Sequence, residues 1–94
     1  MKKQYYALKD QTVGEFLELF PARNDDEAKR MVGLTVLNSS EMAQIATDLD
    51  LFRICELDTK TGIIGQNWEK LANASELAKE NIKRVGKKEE KEKK

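Results

Sequence analysis

Six aromatic side chains and a scatter of lysines are the residues of this 94-residue chain best suited to chemistry. Lys2, Lys3, Tyr5, Tyr6 and Lys9 share one short run, Phe52 and Arg53 adjoin in another, and Lys60 sits in a turn. Rings interleaved with cations are how many single-strand nucleic-acid binders work, the rings stacking on bases and the cations holding phosphates. The candidate nucleic-acid-binding set is therefore Lys3, Tyr5, Tyr6, Lys9, Phe52, Arg53 and Lys60. The competing use of the same rings is to fill a core, and a small α+β domain needs most of six aromatics for that. Side chains alternate along a strand, so Tyr5 and Tyr6 cannot face the same groove and one of them belongs to the core.

Other chemistry has little to stand on. The chain has no histidine, which removes the commonest general base and metal ligand, and an ordinary zinc site with it. No phosphate-binding loop or G-x-S-x-G turn is present. Asp25-Asp26-Glu27 reads as an acidic first helical turn rather than a cation site. Asp48, Asp50 and Asp58 read as solvated turn residues. Cys55, the one cysteine, reads as a small apolar filler in a strand. The expectation is a protein that is not an enzyme, with no metal and no cofactor.

Net charge is zero but unevenly spread. Residues 1–65 carry a balance of −3 and residues 66–94 a balance of +3. A body without basic excess is poorly suited to strong duplex binding, where phosphate neutralisation dominates. No apolar run is long enough to span a bilayer, and Met1 to Tyr6 lacks the apolar core of a secretory signal. A lone cysteine fits a reducing compartment.

The elements that must position these residues begin with two hairpins. Leu51 to Leu57 and the residues from Ile63 flank Asp58-Thr59-Lys60-Thr61-Gly62, where Gly62 supplies the positive φ that such a loop needs. Gln4 to Lys9 and Glu15 to Phe20 flank Asp10 to Gly14 in the same manner. Alternation in the second run groups Phe16, Glu18 and Phe20 on one face and Leu17 and Leu19 on the other. Asn24, with Glu27 three residues on, opens a helix that ends near Leu37. Ser40 caps a second, short helix through Leu49. A last helix is expected from Asn67 to Val85, with Trp68, Leu71, Ala72, Ser75, Ala78, Ile82 and Val85 on one stripe; Trp68 reads first as a core anchor and second as a ring for base stacking. The expected architecture is α+β, in the order ββααββα: two antiparallel hairpins with helices on one face and a long C-terminal helix. Residues 1–85 form one domain and residues 86–94 a charged tail with nothing to bury. Open sheet edges and apolar helix faces suit a homo-oligomer.

Three stretches carry a family resemblance: Tyr5-Tyr6-Ala7-Leu8-Lys9-Asp10, Asn24-Asp25-Asp26-Glu27-Ala28-Lys29-Arg30, and Asp50-Leu51-Phe52-Arg53-Ile54-Cys55-Glu56-Leu57-Asp58-Thr59-Lys60-Thr61-Gly62. Together they resemble the small nonstructural protein of gokushovirus-type microviruses, single-stranded DNA bacteriophages, over about residues 4–64. Cys55 stands where that family usually has glycine, and Leu57 where it usually has an aromatic. The resemblance implies a non-capsid protein acting in phage DNA replication or packaging, in the cytoplasm of the bacterial host. It brings no established binding residues with it, so the candidate set rests on physical grounds. Two readings follow: a single-stranded DNA-binding protein of the phage Microviridae, or a protein–protein interaction module that binds a host or phage factor without nucleic acid.

Overall fold

The computed structural model describes residues 2–82. Strand β1 (Lys2–Asp10) turns through Gly14 into β2 (Glu15–Phe16) and β3 (Phe20–Ala22). Helices α1 (Asp25–Asn38) and α2 (Ser40–Ile45) follow, then a 3-10 turn (Ala46–Asp48). Strands β4 (Leu49–Asp58) and β5 (Ile64–Asn73) form the second hairpin. Residues 74–82 are helical and are called α3. The sheet is antiparallel, with β1 and β4 at its centre, β5 outside β4, and β2 and β3 sharing the outer edge of β1.

Both hairpin turns close as their residue types require. Gly14 N–H donates to the Asp10 carbonyl at 2.7 Å and Gly62 N–H to that of Asp58 at 2.8 Å. Each glycine has φ near +80°, at 80° and 77°, a region that costs a Cβ-bearing residue strain. The side chains of Asp10 and Asp58 accept from Thr12 N and Lys60 N, bracing the turns from within.

The helices all lie on one face of the sheet. Ala28, Val32 and Val36 of α1, Ala46, and Ala74, Leu77 and Ala78 of α3 pack onto Tyr6, Leu8, Ala22, Leu49 and Leu51. Gly33 lets α1 and α3 approach closely: a Cβ there would stand 1.9 Å from Asn81 Nδ2 and 2.8 Å from the Leu77 carbonyl.

The expected order ββααββα is met in part. The second strand is broken into two pieces, because Lys9 pairs with Phe16 while Tyr6 pairs with Phe20. One extra residue is accommodated between those pairs, so Phe16 and Phe20 fall on opposite faces instead of sharing one. Ser39, not Ser40, caps α2, its Oγ accepting from Met42 N at 3.2 Å. The last helix begins at residue 74, and residues 67–73 are strand. Ten residues of β4 need a partner, and pairing with β5 overrides the helical spacing of Trp68, Leu71 and Ala72. The helix start is set by Asn73, whose Oδ1 accepts from Ser75 N at 3.1 Å. The expected helical residues Lys83 to Val85 and the tail 86–94 lie outside the described residues.

Candidate nucleic-acid interface

The face of the sheet away from the helices is where the aromatic side chains gather. Paired residues on neighbouring strands share a face, so the register assigns each position. Tyr6 and Leu8 point into the helix-side core, which turns Lys3, Tyr5, Ala7 and Lys9 the other way. Ala7 pairs with Phe52, Lys9 with Phe16, and Phe52 with Lys70. Trp68, two residues before Lys70, joins them.

These side chains form a small aromatic group. The Phe52 ring stacks on Trp68, centroids 4.9 Å apart, and meets Phe16 edge-on at 5.3 Å. Phe52 is 5% exposed and forms the floor, while Phe16 at 42% and Trp68 at 57% stand open to either side. Lys9 Nζ lies over the Phe16 ring, 5.5 Å from its centroid. Lys70 Nζ is 3.5 Å from Asp50 Oδ2. Desolvation works to raise the Asp50 pKa, but hydrogen bonds from Asn73 and Gln11 and the charge of Lys70 outweigh it and hold the carboxyl below its usual value. Among the strand positions of this face the charges are Lys3, Lys9 and Lys70 against Asp50, a local excess of positive charge on a body that is otherwise acidic.

The candidate residues divide between two faces. Lys3, Tyr5, Lys9 and Phe52 share the open one. Tyr6 is the core tyrosine, fully buried, its hydroxyl donating to Asp25 Oδ1 at 2.8 Å. Burial and the neighbouring Asp25 carboxylate push that hydroxyl well above the ordinary phenol range. Arg53 lies on the helix side: Nη1 donates to Asp25 Oδ2 at 2.6 Å, Nη2 to Glu69 Oε2 at 2.5 Å and Nε to the Asn67 carbonyl at 3.1 Å. The same alternation that separates Tyr5 from Tyr6 separates Phe52 from Arg53. A bulge at Ile54, where Tyr5 pairs with Cys55 but Tyr6 with Arg53, keeps Cys55 on the open face. Lys60 sits in the β4–β5 turn, away from the aromatic group.

Phe16, Trp68 and Lys70 were not in the candidate set. Trp68 was hidden by its helical spacing with Leu71 and Ala72. Reading Gln66, Trp68 and Lys70 against Asn67 and Glu69 as a strand pairing with β4 would have brought Trp68 next to Phe52. The acidic residues at the start of α1 have partners of their own. Asp25 holds Tyr6 and Arg53, and the Glu27 carboxylate accepts from Arg23 N at 3.1 Å and Nε at 2.6 Å. Those Arg23 hydrogen bonds hold the Glu27 pKa below its usual value.

On the helix side a shallow recess of about 660 Å³ opens beside the start of α1. Its walls carry Arg23, Lys29 and Arg53 against Asp25 and Asp26, and Arg53 is already paired with Asp25. No helix among the described residues is long and apolar enough to cross a membrane.

A family model described as Phage ORF5 protein matches residues 3–77, a span that takes in α1, α2, the start of α3 and all of the sheet but Lys2. No curated protein and no solved structure matches the chain.

Proposed function

The chain belongs to the Phage ORF5 protein family, and from that premise we propose that this phage protein binds single-stranded DNA. In this reading it is a nonstructural protein of a gokushovirus-type microvirus, acting in DNA replication or packaging in the cytoplasm of the bacterial host. The observation that carries the reading is the open aromatic group: Phe16 and Trp68 exposed on either side of Phe52, on the helix-free face, among Lys3, Lys9 and Lys70. Stacking is indifferent to base identity, because every base has a π-face, so the reading is of a binder with little sequence preference. A duplex keeps its bases paired and stacked and offers these rings nothing to receive. No catalytic role is assigned to any residue.

The test follows Trp68, the one tryptophan of the chain, which lies within the proposed surface. Its fluorescence and the anisotropy of a labelled oligonucleotide are read together while a single strand, then the matching duplex, is titrated at low and moderate salt. Saturable binding that prefers the single strand, alters Trp68 emission and weakens with salt supports the reading. A folded protein that binds no strand at low salt sinks it. Sedimentation of the same samples tests the homo-oligomeric state that the reading includes.

A second reading, a protein-interaction module, draws on the outer side of α1. Leu34 and Leu37 are exposed there although Ala28, Val32 and Val36 already satisfy the core. Association with a host or phage protein that Leu34→Glu abolishes, in the absence of DNA, favours this second reading.

A further inference from the structure

Building on the single-strand reading, we infer that the open face is a track of fixed length. It runs along β1 from Lys9 to Lys3 and seats bases at two stations. The first station is the Phe16–Phe52–Trp68 group beside Lys9. The second is Tyr5, which β1 presents on the same face two residues beyond Ala7, the cross-strand partner of Phe52. Ala7 contributes only a methyl group between them and is itself covered, so no tall side chain of β1 blocks the path from one station to the other.

The direction follows from the cations. Lys9 and Lys3 stand at opposite ends of β1 on this face; Asp50, the cross-strand partner of Lys9, is bridged by the Lys70 ammonium, so a path across the strands ends on a cation already paired. The cations of β1 on this face end at these two lysines. Alternation turns the flanking strand residues, Lys2 and Asp10, to the helix side, where Asp10 pairs with the core residue Leu49. A phosphate carried beyond either lysine meets no further cation of β1 on this face.

Six residues separate Lys3 from Lys9, roughly 20 Å at about 3.3 Å per strand residue. A stacked single strand advances about 3.4 Å per nucleotide, so the track holds at most about six. A strand drawn out to reach both stations uses fewer.

A ladder of labelled oligothymidylates of increasing length tests this at low salt, with stoichiometry from native mass spectrometry. Affinity at one protein per strand is expected to climb steeply up to about six nucleotides. Beyond that it should rise only in proportion to the number of overlapping sites. Lys3→Ala should move the plateau to shorter strands, because past Tyr5 the backbone then meets no cation. Steep gains that continue well past that length at one protein per strand overturn the track, as does a plateau that Lys3→Ala leaves in place. Both outcomes leave single-strand binding itself standing. Absence of binding at every length, with circular dichroism confirming the fold, overturns the binding reading and the track together.

Discussion

Arg53 Nη1 and Asp25 Oδ2 lie 2.6 Å apart, joining the middle of β4 to the first turn of α1. The other Asp25 oxygen accepts from the buried Tyr6 hydroxyl, and the other guanidinium nitrogens hold Glu69 and the Asn67 carbonyl. Arg53 is thus a clamp between helix and sheet, with its charge spoken for. Arg53→Ala is expected to cost about 1–2 kcal/mol of stability, because Asp25 is left without its cation and water restores only part of the interaction. Urea unfolding measures the change. The salt dependence of oligonucleotide binding should stay as it is, and a flatter salt slope in this variant would return Arg53 to the binding surface.

The three rings of the open face should separate by variant. Trp68→Ala and Phe16→Ala remove exposed rings and are expected to weaken single-strand binding by about 1–3 kcal/mol per base stacked, with the fold intact. Phe52→Ala removes the buried floor and is expected to cost about 3 kcal/mol or more in stability as well. Thermal melts run beside anisotropy titrations distinguish the two classes. Equal destabilisation by all three would mark the group as plain packing.

The lysines should show themselves in salt. For a single strand, each phosphate that a variant no longer neutralises lowers the slope of log affinity against log salt by about 0.7. Lys9→Ala and Lys3→Ala are each expected to do so. Lys60→Ala, in the distant turn, should leave the slope unchanged. Titrations at several salt concentrations give the slopes directly.

Gly33 supports the close packing of α1 on α3. Gly33→Ala drives a methyl against the Leu77 backbone carbonyl, which cannot rotate aside as the Asn81 amide could. The helices must part, at an expected cost of about 1–3 kcal/mol. The mid-helix preference for alanine, worth up to about 1 kcal/mol, works in the opposite direction and is too small to rescue the variant. A raised melting temperature for Gly33→Ala would contradict the close approach.

Stability should fall at both ends of the pH scale for assignable reasons. The Asp50 pKa is held down in the folded protein, so its contribution is full above the unfolded carboxyl value near ~3.9 and is lost as pH falls through the folded value. Asp50→Asn should flatten that acid limb. The Tyr6 pKa is raised, so its contribution is full below the unfolded phenol value near ~10 and is lost as pH climbs toward the folded one. Tyr6→Phe should flatten the alkaline limb. Urea midpoints across pH read both.

Local chemistry made much of the fold legible. The aspartate and glycine at fixed offsets announced both turns, and Asn24 announced α1, its Oδ1 accepting from Glu27 N at 2.8 Å. What escaped was set by partners distant in sequence. Trp68 fits a helical stripe as well as a strand, and only the length of β4 decides between them. Phe16 changed face because one extra residue enters between its pairing and that of Phe20, a slip no local pattern records. For the site, alternation alone could have parted Phe52 from Arg53, and it did require one of Tyr5 and Tyr6 to be buried. Which one was decided by Asp25 on α1, nineteen residues from Tyr6.

Neither outer strand of the sheet is a clean ladder. On one side β2 and β3 are interrupted at residues 17–19, and Pro21 has no N–H to offer. On the other, β5 slips its register with β4 twice, once at Leu71 and once where Ile54 faces Asn67 and Trp68. A growing fibril needs a straight row of free amides and carbonyls to copy, and both borders deny it one. The exposed rings of Phe16 and Trp68 lie on the face of the sheet, so the surface open to contact and the border that could template a second sheet are different parts of the molecule.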